Sequence, residues 1–184
     1  NRIELNHDID ARQEVIIDRL GNSAIYAYDE NGYITQVTDP LGGTHLYTYD
    51  EEGRRTLELN PLNHETRFIY DDNGRLIEEI DAMLGVQRWE YTDEGRLDSY
   101  YNTKGFSTQS DYDSAGNIIS YTDFDGGETR YTYDSRGNRL TMINPLGGVT
   151  HYTYNDLNQK LSETTPLGIE TRYTYDANSN ILSK

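Results

Sequence analysis

Four histidines, His7, His45, His64 and His151, are the side chains best suited to proton transfer or metal ligation near neutral pH. None belongs to a His-Glu-x-x-His pair, and the sequence has no Gly-x-Ser-x-Gly elbow and no phosphate-binding loop. It has no cysteine, which excludes disulfides, thiolate metal sites and cysteine nucleophiles. Calcium is the more serious metal chemistry. Asp123-Phe124-Asp125-Gly126-Gly127 and Asp71-Asp72-Asn73-Gly74 put oxygens on tight turns, although neither has EF-hand or nonapeptide spacing. The densest aromatic group, Trp89, Tyr91, Tyr100 and Tyr101, is the candidate contact site, since an aromatic platform suits stacking on a sugar face.

These residues sit in a frame that explains most of them. Tyr recurs at Tyr28, Tyr49, Tyr70, Tyr91, Tyr112, Tyr133, Tyr154 and Tyr175, always 21 residues apart. Two residues earlier stand Tyr26, Tyr47, Phe68, Trp89, Ser110, Tyr131, Tyr152 and Tyr173. One residue after the Tyr comes Asp29 and its equivalents, and four residues after it come Gly32, Gly53, Gly74, Gly95, Gly116 and Gly137, then Asn158 and Ser179. Half a unit on, a second mark reads Asp39-Pro40-Leu41-Gly42-Gly43 and recurs around Pro61, Pro145 and Pro166. His7 and Asp8 mark a worn first unit, for about nine in all. The histidines occupy four different columns, so nothing aligns them on neighbouring units. Eight equivalent catalytic sites on the Asp29 column would be odd, and a turn-forming role explains that column better.

Turn signals about every ten residues leave room for strands and none for ordinary helices. Asp or Asn bonds its own backbone at the first turn position, Pro presets φ at the second, and Gly accepts positive φ. Between turns the pattern alternates. Thr129, Tyr131 and Tyr133 face one way, and Arg130 and Thr132 the other. The returning strand carries Ile34, Leu76, Leu97 and Ile118, which would lie between the tyrosine rows as an apolar lamination. The tyrosine hydroxyls and the Thr and Arg columns suit the solvated side. The expected fold is all-β: serial antiparallel hairpins, about seventeen strands, in a curved single-layer sheet. Both end strands would be open, so edge-strand self-association is expected.

Composition agrees. Only 34% of the chain is apolar, too little for a thick two-sided core, yet Tyr alone contributes 17 residues, which does not fit disorder. The net charge of -16 disfavours nucleic acid and anionic membranes as partners. The longest apolar run, Ala24 to Tyr28, is far too short for a transmembrane helix. Residues 1–184 are expected to be one repeat segment, an excerpt of a longer protein.

The unit Tyr-x-Tyr-Asp-x-x-Gly-[Arg/Asn]-[Leu/Ile], linked by [Asp/Asn]-Pro-Leu-Gly-Gly, resembles the Rhs or YD repeat. Tyr26 to Gly32, Tyr131 to Gly137 and Tyr173 to Leu182 are the best copies, and Thr92, Ser110, Asn155, Asn158 and Ser179 break single columns. Bacterial Rhs proteins, the C component of Tc insecticidal toxins and the animal teneurins share such repeats. The resemblance implies a hairpin strip that spirals into a hollow shell. In bacterial members the shell encloses a carboxy-terminal toxin until delivery, by type VI secretion or through a Tc pore. It also implies a non-enzymatic wall, no cofactor or metal, a cargo domain and further repeats as partners, and release outside the bacterium. The family's self-cleaving segment matches no residue here. The tyrosine and glycine columns are expected to be structural. An adhesion or carbohydrate-binding repeat is the alternative.

Overall fold

The computed structural model describes residues 4–184, and residues 1–3 of the expected 1–184 repeat segment lie outside the described residues. The chain divides into two units, Asn1–Trp89 and Glu90–Lys184. The first holds β1 (Glu4–Asp8), β2 (Gln13–Ile17), β3 (Ser23–Tyr28), β4 (Ile34–Thr38), β5 (Thr44–Tyr49), β6 (Arg55–Leu59), β7 (Glu65–Tyr70), β8 (Leu76–Ile80) and the start of β9 (Val86–Tyr91). The second continues with β10 (Leu97–Tyr101), β11 (Ser107–Tyr112), β12 (Ile118–Thr122), β13 (Glu128–Tyr133), β14 (Arg139–Ile143), β15 (Val149–Tyr154) and β16 (Lys160–Thr164). It ends with β17 (Glu170–Arg172), β18 (Thr174–Tyr175) and β19 (Ile181–Ser183). Among the described residues there is no helix.

In the first unit each strand from β1 to β9 pairs antiparallel with the next. In the second, β10 to β17 do the same. The short β18 and β19 form a ladder of their own. The all-β reading of serial hairpins therefore holds, as does the expected number of strands in series.

One turn serves both punctuation marks. The Asp29 amide donates to the Tyr33 carbonyl at 2.9 Å, and the Gly32 amide donates to the Asp29 carbonyl at 3.2 Å. At Asp39 to Gly43 the equivalent bonds are 2.8 and 3.0 Å. Sixteen turns among the described residues repeat this pair of bonds. Asp29 Oδ1 also accepts the amides of Asn31 and Tyr33, each at 2.9 Å, and Asp39 Oδ1 those of Leu41 and Gly43 at 2.8 and 2.9 Å. The side chain thus satisfies two amides that the ladder does not reach, which is why Asp or Asn opens the turn. The fourth residue is left-handed, with φ of 85° at Gly32 and 84° at Gly42, so glycine is favoured there.

The odd repeat length has a local cause. Turn-opening residues Asp29, Asp39, Asp50 and Asn60 alternate intervals of ten and eleven. Ala27 pairs with Gln36 but Tyr28 pairs with Ile34, so Thr35 has no opposite residue and forms a β-bulge. The same shift occurs at Tyr49, Tyr70, Tyr112, Tyr133 and Tyr154. The bulge also staggers the units. Across two strands Tyr26 leads through Val37 to His45, two residues short of Tyr47.

The faces alternate as expected. In β13, Tyr131 and Tyr133 are half-buried while Arg130 and Thr132 are exposed. Among the described residues only Tyr152, Ser99 and Thr150 are buried. Each unit is thus a single layer.

Candidate functional site

The candidate site is the tyrosine face and the two rows of turns that border it. In five units the later tyrosine reaches back to the preceding strand of the meander. Tyr49 Oη donates to the Ile34 carbonyl at 2.7 Å, and Tyr70 Oη to the Arg55 carbonyl at 2.9 Å. In the second unit Tyr112, Tyr133 and Tyr175 donate to the carbonyls of Leu97, Ile118 and Lys160 at 2.7 to 2.8 Å. Each acceptor is the first residue of its strand, and Ile34, Arg55, Ile118 and Lys160 stand beside a bulge. The expectation of solvated hydroxyls is therefore corrected: the bulge leaves a carbonyl that the next ladder does not reach, and the phenol supplies its donor. Burial pushes the Tyr49, Tyr133 and Tyr154 phenols up from their ordinary range. Tyr28 differs, since its hydroxyl donates to the Glu14 carboxylate at 2.9 Å.

The rings are covered from the previous turn. Tyr33 stacks on Tyr49 with ring centres 5.1 Å apart, and the Arg54 and Arg96 guanidinium groups lie 5.1 and 5.6 Å from the centres of Tyr70 and Tyr112. Arg54 also donates to Asp50 at 2.6 Å, and Arg75 to Asp71 at 2.6 Å. Where Asn holds that position its amide does the same work. Asn117, Asn138 and Asn180 each donate to their turn aspartate at 2.9 Å. These bonds hold the Asp113, Asp134 and Asp176 carboxyls below the usual carboxylate range.

The column between the tyrosine rows is less apolar than expected. Arg55, Arg139 and Lys160 occupy the positions equivalent to Ile34. Arg55 sits between Tyr47 and Phe68, 5.6 and 4.7 Å from the ring centres. Arg139 lies between Tyr131 and Tyr152 at 5.5 and 4.8 Å, and Lys160 between Tyr152 and Tyr173 at 5.7 and 4.6 Å. Cation–π contact lets a charged stem replace Leu or Ile between two rings. The alignment of Arg55, Arg139 and Lys160 at multiples of 21 from Ile34 was the available signal.

The turn rows also touch along their length. A methyl group on Gly43 would lie 2.6 Å from Asp39 Oδ2 and 3.1 Å from Pro61 Cγ in the next unit. Gly127 and Gly148 meet Pro145 and Pro166 in the same way, at 3.1 and 3.0 Å.

The other candidates are dispersed. His7 lies in β1 and His64 in a turn, both exposed, and His151 is exposed in β15. His45 stacks on Tyr47, with Nδ1 3.7 Å from Glu58. Asp123 Oδ1 is occupied by the amides of Asp125 and Gly127 at 3.0 and 2.8 Å. Among the described residues no group of three or more His, Asp or Glu side chains is placed to hold a metal ion. Trp89 and Tyr91 share one face of β9, whereas Tyr100 and Tyr101 are neighbours on β10 and project to opposite faces. Tyr100 packs edge-on against Phe124 at 5.9 Å, and Tyr101 Oη donates to Glu90 at 3.2 Å. Ser110 interrupts the aromatic column. An open depression of about 690 Å³ lies there, lined by Arg96, Asp98, Ser110 and Tyr112 among others.

No curated protein sequence matches this chain. Among solved structures, it resembles the crystal structure of TcdB2-TccC3 over 92% of its own length, with a TM-score of 0.73 and 18% identity. It resembles TcdB2-TccC3 without its hypervariable C-terminal region over 91%, with a TM-score of 0.68 and 16% identity. The chain spans about a tenth of those molecules, 10% and 11% respectively, and the likeness is one of fold. The family model described as RHS Repeat matches residues 13–44, 28–64, 70–106 and 112–149, more than half of the sequence. With its hairpins, turn pairs and tyrosine columns in that frame, the chain belongs to the RHS repeat family.

Proposed function

We propose that the chain is a non-enzymatic wall segment of a bacterial Rhs-type toxin, and that the wall encloses a carboxy-terminal toxin domain until delivery outside the producing cell. The segment is about nine units of a longer protein whose further repeats continue the spiral shell. Its tyrosine and glycine columns serve the wall rather than a reaction. The observation that carries this reading is the recurring lock, in which the tyrosine hydroxyl of one unit bonds a carbonyl of the unit before it in five repeats. A binding or catalytic centre breaks a repeat locally, whereas a wall obeys it everywhere. The similar molecule TcdB2-TccC3 carries a hypervariable C-terminal region, which supports a variable cargo beyond the repeats.

Limited proteolysis of the parent protein tests this. Its carboxy-terminal domain should resist protease, and should be digested faster when Tyr49→Ala and Tyr133→Ala loosen the wall. Equal digestion with and without those substitutions would overturn the proposal. So would saturable binding on a glycan array that is lost with Trp89→Ala, which would favour the adhesion reading.

A further inference from the structure

On the returning strand, two positions three residues apart lie opposite the two tyrosines of the repeat, as Ile34 lies opposite Tyr28 and Val37 opposite Tyr26. Their charges are matched in most units. Arg55 pairs with Glu58 at 3.0 Å, and Lys160 with Glu163 at 2.8 Å. Ile34 with Val37, Leu97 with Tyr100 and Ile118 with Tyr121 are without formal charge at both places. Leu76 with Glu79 is a mismatch, and Gln87 Nε2 meets that carboxylate at 3.4 Å. Arg139 is the opposite mismatch, because Met142 stands where its carboxylate belongs. The register there is ordinary: Met142 lies opposite Tyr131, as Glu58 lies opposite Tyr47 and Glu163 opposite Tyr152. The Arg139 guanidinium is half-buried between two rings and forms no ion pair with any described residue. Its Nη2 reaches only the Tyr152 hydroxyl, at a long 3.5 Å, and its buried Nε has no hydrogen-bond partner. The phenol of Tyr154 lies within the field of this cation, and its hydroxyl makes no hydrogen bond among the described residues. The aligned hydroxyls of Tyr133 and Tyr175 bond the carbonyls of Ile118 and Lys160.

We propose that Arg139, set between Tyr131 and Tyr152, is a binding site for a carboxylate group from outside this chain. A half-buried cation is costly without a counter-charge, and elsewhere on this face the chain supplies one. At Arg139 the same demand is met by a ligand. The sister units identify its chemistry, since a carboxylate is the anion that Glu58 and Glu163 bring to the equivalent cations. The planar guanidinium fork suits two parallel bonds to such a group. A phosphate dianion fits less well, because it adds two charges to a chain already at -16. The flanking rings hold the guanidinium in place before contact, which lowers the entropy lost on binding. The site breaks the repeat at one place only, and it stands whether or not the wall encloses a cargo.

Nitrogen-15 NMR of the whole chain tests this, with the Arg139 Nε–H signal followed as sodium acetate replaces chloride at constant ionic strength. The signal should shift with a midpoint on the order of 10 mM. Arg139→Leu places there the residue that Leu76 and Leu97 supply in sister units, so it identifies the signal without disturbing the sheet. Met142→Glu provides the carboxylate from within. It should raise the acetate midpoint by about tenfold or more, because an internal group competes at a high effective concentration. Far-UV circular dichroism should be unchanged in both variants. Acetyl-glutamyl-methylamide, titrated beside acetate, separates the sources. Tighter binding of the peptide supports the site with its carboxylate on a polypeptide, and tighter binding of acetate supports it with a small carboxylic acid. A signal that ignores both probes would overturn the proposal. So would a response that survives Met142→Glu unchanged. Inorganic phosphate acting at the same midpoint as acetate would overturn it too, because the guanidinium would then be a general anion contact.

Discussion

The phenolic oxygen of Tyr49 lies 2.7 Å from the carbonyl oxygen of Ile34, fifteen residues earlier and on the adjacent strand. The bond joins one unit to the next through a side chain, beyond the end of the β4–β5 ladder, which stops at Gln36 and Leu46. Tyr49→Phe keeps the ring on Tyr33 and removes only the donor. It should lower stability by about 0.5–1.5 kcal/mol, read from the urea midpoint. Tyr133→Phe should cost about as much by the same argument at Ile118, and a midpoint unmoved by both changes would show that the carbonyls find other donors.

Gly43 is not left-handed, yet a side chain there would be crowded. A methyl group there meets Asp39 and Pro61 at 2.6 and 3.1 Å. Gly43→Ala should therefore destabilise the chain by about 1–3 kcal/mol through overpacking. Pairing it with Pro61→Ala should recover part of the loss, measured as a double-mutant cycle on the urea midpoint.

Leu84 occupies the position that glycine holds in most turns, with φ of 65°. A branched side chain in that region is strained, and this one is also exposed. Leu84→Gly should raise stability by about 0.5–1 kcal/mol, the relief of strain exceeding the added flexibility of glycine. Thermal unfolding would show it as a higher midpoint.

Stability should fall at both ends of the pH scale. The Asp113, Asp134 and Asp176 carboxyls are lowered in the folded chain, so the unfolded chain takes up protons first. Their contribution is complete above the unfolded value of about 3.9 and is lost as pH falls through the lower folded values. The Tyr49, Tyr133 and Tyr154 phenols are raised, so their contribution is complete below about 10 and is lost as pH rises through the higher folded values. Urea midpoints should be level near neutrality and lower at about pH 3 and about pH 11. Asn117→Ala should flatten the acid limb, because it removes the amide that holds Asp113 down.

Much of this architecture is written in residue types that have few physical uses. Asp29, Pro40 and Gly32 each suit one turn position, and their spacing specifies strands, turns and the alternation of Tyr131 against Arg130. What spacing does not report is direction in three dimensions. A phenol reads as a wet group, and only the bulge shows why the hydroxyl of Tyr49 turns to a carbonyl. Arg55 and Lys160 read as charges, and only the flanking rings show them acting as core spacers. The two-residue offset between Tyr26 and Tyr47 was also hidden, because counting residues along the chain does not reveal how a bulge slides neighbouring strands. The candidate group around Trp89 fared differently. Tyr100 and Tyr101 are adjacent in sequence, and adjacency on a strand sends side chains apart.

The bulge at Thr35 bears on how such a gene grows and shrinks. Because turn pair and bulge return together every 21 residues, with the phenol–carbonyl bond in five of the repeats, recombination that adds or removes a whole unit keeps the strand register of its neighbours. Loss of a single codon in a β-strand reverses the side chains beyond it and parts a tyrosine from its acceptor. Copy number is thereby free to vary while the reading frame of the ribbon is policed one residue at a time.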